Sequence, residues 1–280
     1  MSRYLLFFAI EIGKTTFKTP ALDSLDVMEG IQIYELKRMD LRDATVIDGF
    51  PSVGLVSSIV ANYLINALGL QQIGIMDSVY FPTVSLVRNG EPMNPVRIYA
   101  GPKQEGADQL VVFISEFQPP PNLVKGIAST VLDWALDQKC DLLVCPEGLI
   151  VDSEGASEPR EIEVYGIGST EGSMDLLRKN KVTIFEEGVI TGVAGVLLNE
   201  GRKKDFDVVT LLSEAHPEYP DARAAARVIE TIDKLLLHTR LDAKPLYEEA
   251  ERIEMQLKSI HEQTEAAKKP TQPVRPSMYG

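Results

Sequence analysis

Gly49 and Gly54 have the spacing of a phosphate-cradling loop, in which backbone N–H groups surround the phosphates and a lysine supplies the cation. Here Leu55-Val56 stands where that lysine and its hydroxyl neighbour belong. Without the cation, the turn holds an anion only through the N–H groups that open a helix. Alternatively, its glycines let a helix approach a sheet closely, and this packing reading is favoured because no Lys or Arg lies beside the turn in sequence. Gly166-Ile-Gly168 lacks the third glycine of a dinucleotide fingerprint. His216, His238 and His261 are too scattered to be a zinc site, and no Gly-x-Ser-x-Gly elbow occurs. Glu116 and Glu147 each sit at or just past a strand end, where ligand clefts form in α/β sheets. With Gly49 and Gly54 they outline one candidate cleft, for a small-molecule binder or a hydrolase- or phosphorylase-like enzyme. Carboxylates on a solvated rim are the plainer reading. No catalytic residue, metal ligand or cofactor is expected.

The elements that would position these residues alternate. Ile31–Leu36, Ala44–Asp48, Gln72–Asp77, Thr83–Arg88 and Val96–Gly101 read as strands, and Asn89-Gly90 is a hairpin signal. Leu110–Ser115 and Asp141–Cys145 are nearly all apolar, as central parallel strands are. Val164–Ser169, Gly188–Gly192 and Val208–Leu212 complete the strands. Helices are expected over Leu55–Leu68, with Gly69 as C-terminal cap, and over Asn122–Lys139, Glu171–Asn180, Val193–Glu200 and Asp221–His238. In the second of these, Val124, Ile127, Val131, Trp134 and Leu136 form the apolar face. Such alternation predicts one α/β domain over residues 28–242, with a mixed, mostly parallel sheet flanked by helices.

The chain of 280 residues carries a formal charge of -13, which repels nucleic-acid phosphates and anionic membrane surfaces. Cys140 and Cys145 read as reduced core residues, consistent with a reducing, cytoplasmic compartment. The apolar run from Tyr4 to Ile10 is too short to span a bilayer and poorly flanked for a signal peptide. Residues 1–27 read as an extension or a mis-called start, with Met28 as an alternative first residue. Residues 245–267 form a coiled-coil-like helix: Leu246, Ala250, Ile253, Leu257 and Ile260 repeat at 4-3 spacing, and this stripe must pack on a neighbour subunit or on the domain itself. In residues 268–280, prolines at every third position favour an extended tail, about 30 Å per ten residues.

Asp48-Gly-Phe-Pro-Ser-Val-Gly54 and the residues to Ile65, Asp77-Ser-Val-Tyr-Phe-Pro-Thr83, Pro95–Tyr99 and Ile190–Leu198 together resemble the proteasome assembly chaperone 2 family in its archaeal form. The resemblance implies a fold similar to nucleoside phosphorylases without their catalytic groups. It also implies a homo-oligomer that associates with the 20S proteasome as assembly chaperone or ATP-independent activator, and a terminal hydrophobic-Tyr-any motif that docks between proteasome α subunits. Met278, Tyr279 and Gly280 fit that motif. In such docking the terminal carboxylate would pair with a pocket lysine, Tyr279 would anchor and Met278 would fill an adaptable apolar contact. One tail binds weakly, and several on one oligomer gain by effective concentration.

Overall fold

A computed structural model describes residues 30–102, 108–150, 163–239, 241–248 and 250–252. The expected extension at 1–27, the expected tail at 268–280 with Met278, Tyr279 and Gly280, and most of the expected 245–267 helix lie outside these residues.

Eleven strands and five α-helices are described. The strands are β1 (Ile31–Glu35), β2 (Thr45–Gly49), β3 (Gln71–Ser78), β4 (Leu86–Arg88), β5 (Glu91–Met93), β6 (Val96–Ala100), β7 (Leu110–Ser115), β8 (Leu142–Leu149), β9 (Val164–Gly168), β10 (Thr183–Ile184) and β11 (Asp207–Glu214). The helices are α1 (Val56–Ala67), α2 (Pro121–Asp137), α3 (Glu171–Lys179), α4 (Gly192–Lys204) and α5 (Ala222–Ile232).

Nine strands form one sheet in the order β1-β3-β6-β7-β2-β8-β11-β9-β10. Its centre, β7-β2-β8-β11, is parallel. β6, β3 and β1 continue antiparallel on one side, and β9 turns antiparallel to β11 on the other. All six residues of β7 are buried, as a strand covered on both faces requires. α2 and α4 cover one face with a core that includes Phe113, Ile127, Leu143 and Leu197. α1, α3 and α5 cover the other with Ile47, Leu64, Leu177 and Ile229. Each fully buried side chain of this size contributes about 1.5–3 kcal/mol.

Local chemistry sets the helix starts. Pro121 opens α2, where a missing N–H costs nothing. Thr170 and Ser173 form a reciprocal capping box on α3. Asp221 caps α5 through the Ala224 N–H at 2.9 Å.

Two expectations change. Gly188–Gly192 is not a strand: Gly192 takes a left-handed φ of 72° and opens α4, and Val189 is exposed. The edge strand is Thr183–Ile184 instead, beside β9. In α2, Leu136 points outward, and Leu123, Ala128, Leu132 and Ala135 supply the buried face with Ile127 and Val131. Asn89-Gly90 does turn a hairpin, both residues having positive φ as a type I′ turn demands. That hairpin, β4–β5, stands apart from the main sheet.

Candidate functional site

β2, β7, β8 and β11 all end at the same edge of the sheet, where α/β folds place ligands. The chain leaves β2 through Phe50-Pro51-Ser52 and a 3-10 turn, Val53–Leu55, before entering α1. Gly54 and Leu55 are both left-handed, with φ of 60° and 52°. That conformation is strained for a leucine, and Leu55 is 41% exposed.

The glycines here are packing devices. A Cβ on Gly49 would lie 2.4 Å from the Phe113 carbonyl oxygen and 2.5 Å from the Ala61 Cβ. One on Gly54 would meet the His216 carbonyl oxygen at 2.9 Å. Gly148, at the end of β8, is tighter still, its Cβ position being 2.2 Å from the Val53 carbonyl oxygen. Hydrogen bonds close the turn. The Ser57 N–H donates to Ser52 Oγ at 3.2 Å, the Ser57 hydroxyl to the Phe50 carbonyl, and the Asp221 N–H to the Gly54 carbonyl at 2.8 Å. The His216 N–H donates to Asp221 at 3.1 Å, which ties the β11 exit to the same turn.

Glu116 and Glu147 serve different neighbours. Glu116 accepts from the buried Arg97 guanidinium at 2.5 Å and from Arg88 of the hairpin at 3.3 Å. Arg97 also donates to the Asn94 carbonyl at 2.7 Å and to the Tyr99 hydroxyl at 3.2 Å. Glu116 therefore satisfies a guanidinium that would be costly to bury alone. Glu147 faces Asp48 instead. Burial raises its pKa well above the carboxylate range, and the Asp48 charge adds to this. Asp48 is itself fully enclosed; burial pushes it up to about 7, although the Phe50 N–H it accepts at 3.1 Å holds it down. Cys145, between them, is held protonated by burial and by both carboxylates.

This is an acidic, proton-holding cluster beneath the turn. Its thiol lacks the thiolate character of a nucleophile. Among the described residues no group of three or more His, Cys, Asp or Glu is arranged to hold a metal ion, and no helix is long and apolar enough to cross a membrane. In the sequence Asp48 reads only as a strand end and Cys145 only as core. The signal for their pairing was an acidic residue closing an otherwise apolar strand, opposite a second strand with Glu147 two residues past its cysteine.

Two surface features lie near this edge. A groove of about 750 Å³ runs along α1 and is lined by Leu55, Ser58, Ile59, Asn62, Tyr63 and Glu116, among others. The excursion between β3 and β6 exposes Val79 (87%), Tyr80 (62%), Val84 and Val87 (71%). Phe81 anchors it, turning inward to meet Phe117 edge-on at 5.1 Å.

The chain is similar to Pyrococcus furiosus PbaA, an archaeal homolog of proteasome-assembly chaperone, at 33% identity over 85% of this chain and 94% of PbaA, with a TM-score of 0.73. It shares its fold with Pyrococcus furiosus PbaB, an archaeal proteasome activator, at 23% identity over 84% of this chain and all of PbaB, again with a TM-score of 0.73. An uncharacterized protein of Methanocaldococcus jannaschii is 29% identical over 237 residues, 85% of this chain and 93% of its own length. The PAC2 family profile matches residues 46–261, and the chain belongs to the PAC2 family.

Proposed function

We propose that this protein is a non-enzymatic binding protein that docks its C-terminal residues Met278, Tyr279 and Gly280 into the α ring of the 20S proteasome, as assembly chaperone or ATP-independent activator. The observation that carries this reading is the likeness to PbaA over 85% of this chain and 94% of PbaA, joined to a terminus with a hydrophobic residue, a tyrosine and a last residue at the end of a proline-spaced stretch. A free tail carboxylate beside a tyrosine suits a basic pocket between subunits. The body serves as the platform. Its exposed Val79, Tyr80, Val84 and Val87 are apolar surface of the kind that marks protein contacts, which supports a homo-oligomer presenting several tails. The working compartment is the cytoplasm.

The test is co-migration of the full chain with purified 20S particle, with and without Met278–Gly280. The full chain is expected to co-migrate and the truncated chain to lose at least tenfold in affinity while keeping its thermal midpoint. Equal binding by the truncated chain overturns tail docking.

A further inference from the structure

The groove along α1 is open on its outer side, yet the chain itself enters it. Leu246 is part of its lining, and the Tyr63 hydroxyl donates to the Asp242 carbonyl at 2.7 Å. Residues 244–248 and 250–252 are helical, Ala250 is buried, and the Tyr247 hydroxyl donates to Glu230 of α5 at 3.0 Å. The first two members of the Leu246, Ala250, Ile253, Leu257, Ile260 stripe are therefore already seated on the domain's own surface.

We propose that the groove is filled by the following residues of the same chain, seated through Ile253, Leu257 and Ile260. Length supports this. Leu55, at the far end of the groove, lies eight residues along α1 from Tyr63, about 12 Å at 1.5 Å per residue. Ile253 and Leu257 lie seven and eleven residues beyond Leu246, about 10 and 16 Å in a helix. Chemistry supports it as well. The groove offers apolar Ile59 and the exposed Leu55 to the stripe. Tethering at Leu246 gives this segment an effective concentration that a free second copy lacks. The consequence is that residues 268–280 would leave the body at the edge where β2 and β7 end.

The test uses engineered cysteine pairs, for which Cys140 and Cys145 give no background because both are buried. Full-length chain carrying Ile59→Cys with Leu257→Cys is mildly oxidised and run on a non-reducing gel. A second chain carries Ile59→Cys with Ser259→Cys, on the opposite side of the stripe. Asn62→Cys with Ile260→Cys repeats the test should the first variant fold poorly. Expected is an internal cross-link at monomer size, forming at least tenfold faster for Leu257 or Ile260 than for Ser259. Equal rates, no cross-link, or a dimer-sized product overturn the proposal, the last assigning the groove to a second copy. Removing Met278–Gly280 leaves the cross-link unchanged, so this result and proteasome binding fail or succeed separately.

Discussion

The turn from Asp48 to Leu55 and the excursion from Val79 to Met93 sit near the same end of the molecule and use their residues in opposite ways. The turn is closed on itself. Its glycines admit backbone from β7 and the β11 exit, Gly148 of β8 admits the turn's own Val53, all at distances no side chain would permit, and its polar groups bond to one another. The excursion is fixed at few points, chiefly Phe81 against Phe117 and Arg88 on Glu116, and holds Val79, Tyr80 and Val87 in water. Folding explains the close packing of the first region. It does not explain the second, since exposing a cluster of large apolar side chains brings no gain until another surface covers them.

Breaking that contrast starts with the turn. Gly148→Ala places a methyl group 2.2 Å from the Val53 carbonyl oxygen, against backbone that cannot step aside. A loss of about 3 kcal/mol is expected in chemical denaturation, since overpacking typically costs roughly 1–3. Arg97→Ala comes next, at about 2 kcal/mol, because it removes a fully buried guanidinium from Glu116, Tyr99 and Asn94. A smaller loss of urea midpoint would show Glu116 to be a rim carboxylate after all.

Asp48→Asn tests the proton-holding cluster. A carboxyl that stays protonated to about 7 in the fold, against 3.8 normally, binds more protons folded than unfolded. Stability from this group is therefore complete below about pH 4 and is lost as pH rises toward 7, with Glu147 acting in the same direction. The asparagine still accepts the Phe50 N–H and carries no charge. It is expected to stabilise the protein by about 1–2 kcal/mol at pH 8 and to flatten the slope between pH 4 and 7, each fully linked proton being worth about 1.4 kcal/mol per pH unit. An unchanged slope would sink this account. The smallest effect belongs to the excursion: Val79→Ser, Tyr80→Ser and Val87→Ser should each shift stability by less than about 0.5 kcal/mol. Combined, they should lower the light-scattering mass of the proposed homo-oligomer. An unchanged mass removes the excursion as a contact.

Much of the fold was legible because apolar runs such as Leu110–Ser115 and the small-residue stretch after Gly54 admit few other readings. The packing role of Gly49 and Gly54 was legible too, from the missing lysine. Contacts made across the sheet were not. Nothing local ties Glu116 to Arg97, whose partner is reached only when β6 and β7 pair. Nothing local sets Asp48 beside Glu147, which requires β2 and β8 to be neighbours although α2 and β7 intervene in sequence. The Gly188–Gly192 reading failed because three β-prone residues between glycines match a strand, whereas only the left-handed Gly192 shows that a helix begins there.

The two-residue strand β10 has a bearing on how copies can meet. Among the described residues it closes one side of the sheet with only Thr183 and Ile184, and Glu186 and Glu187 follow after Phe185. So short a border with anionic neighbours gives an incoming strand almost no ladder to extend and repels a second identical border. Copies of this protein cannot zip into fibres along that side. Any contact between copies on that side falls to side-chain surfaces rather than to a backbone ladder.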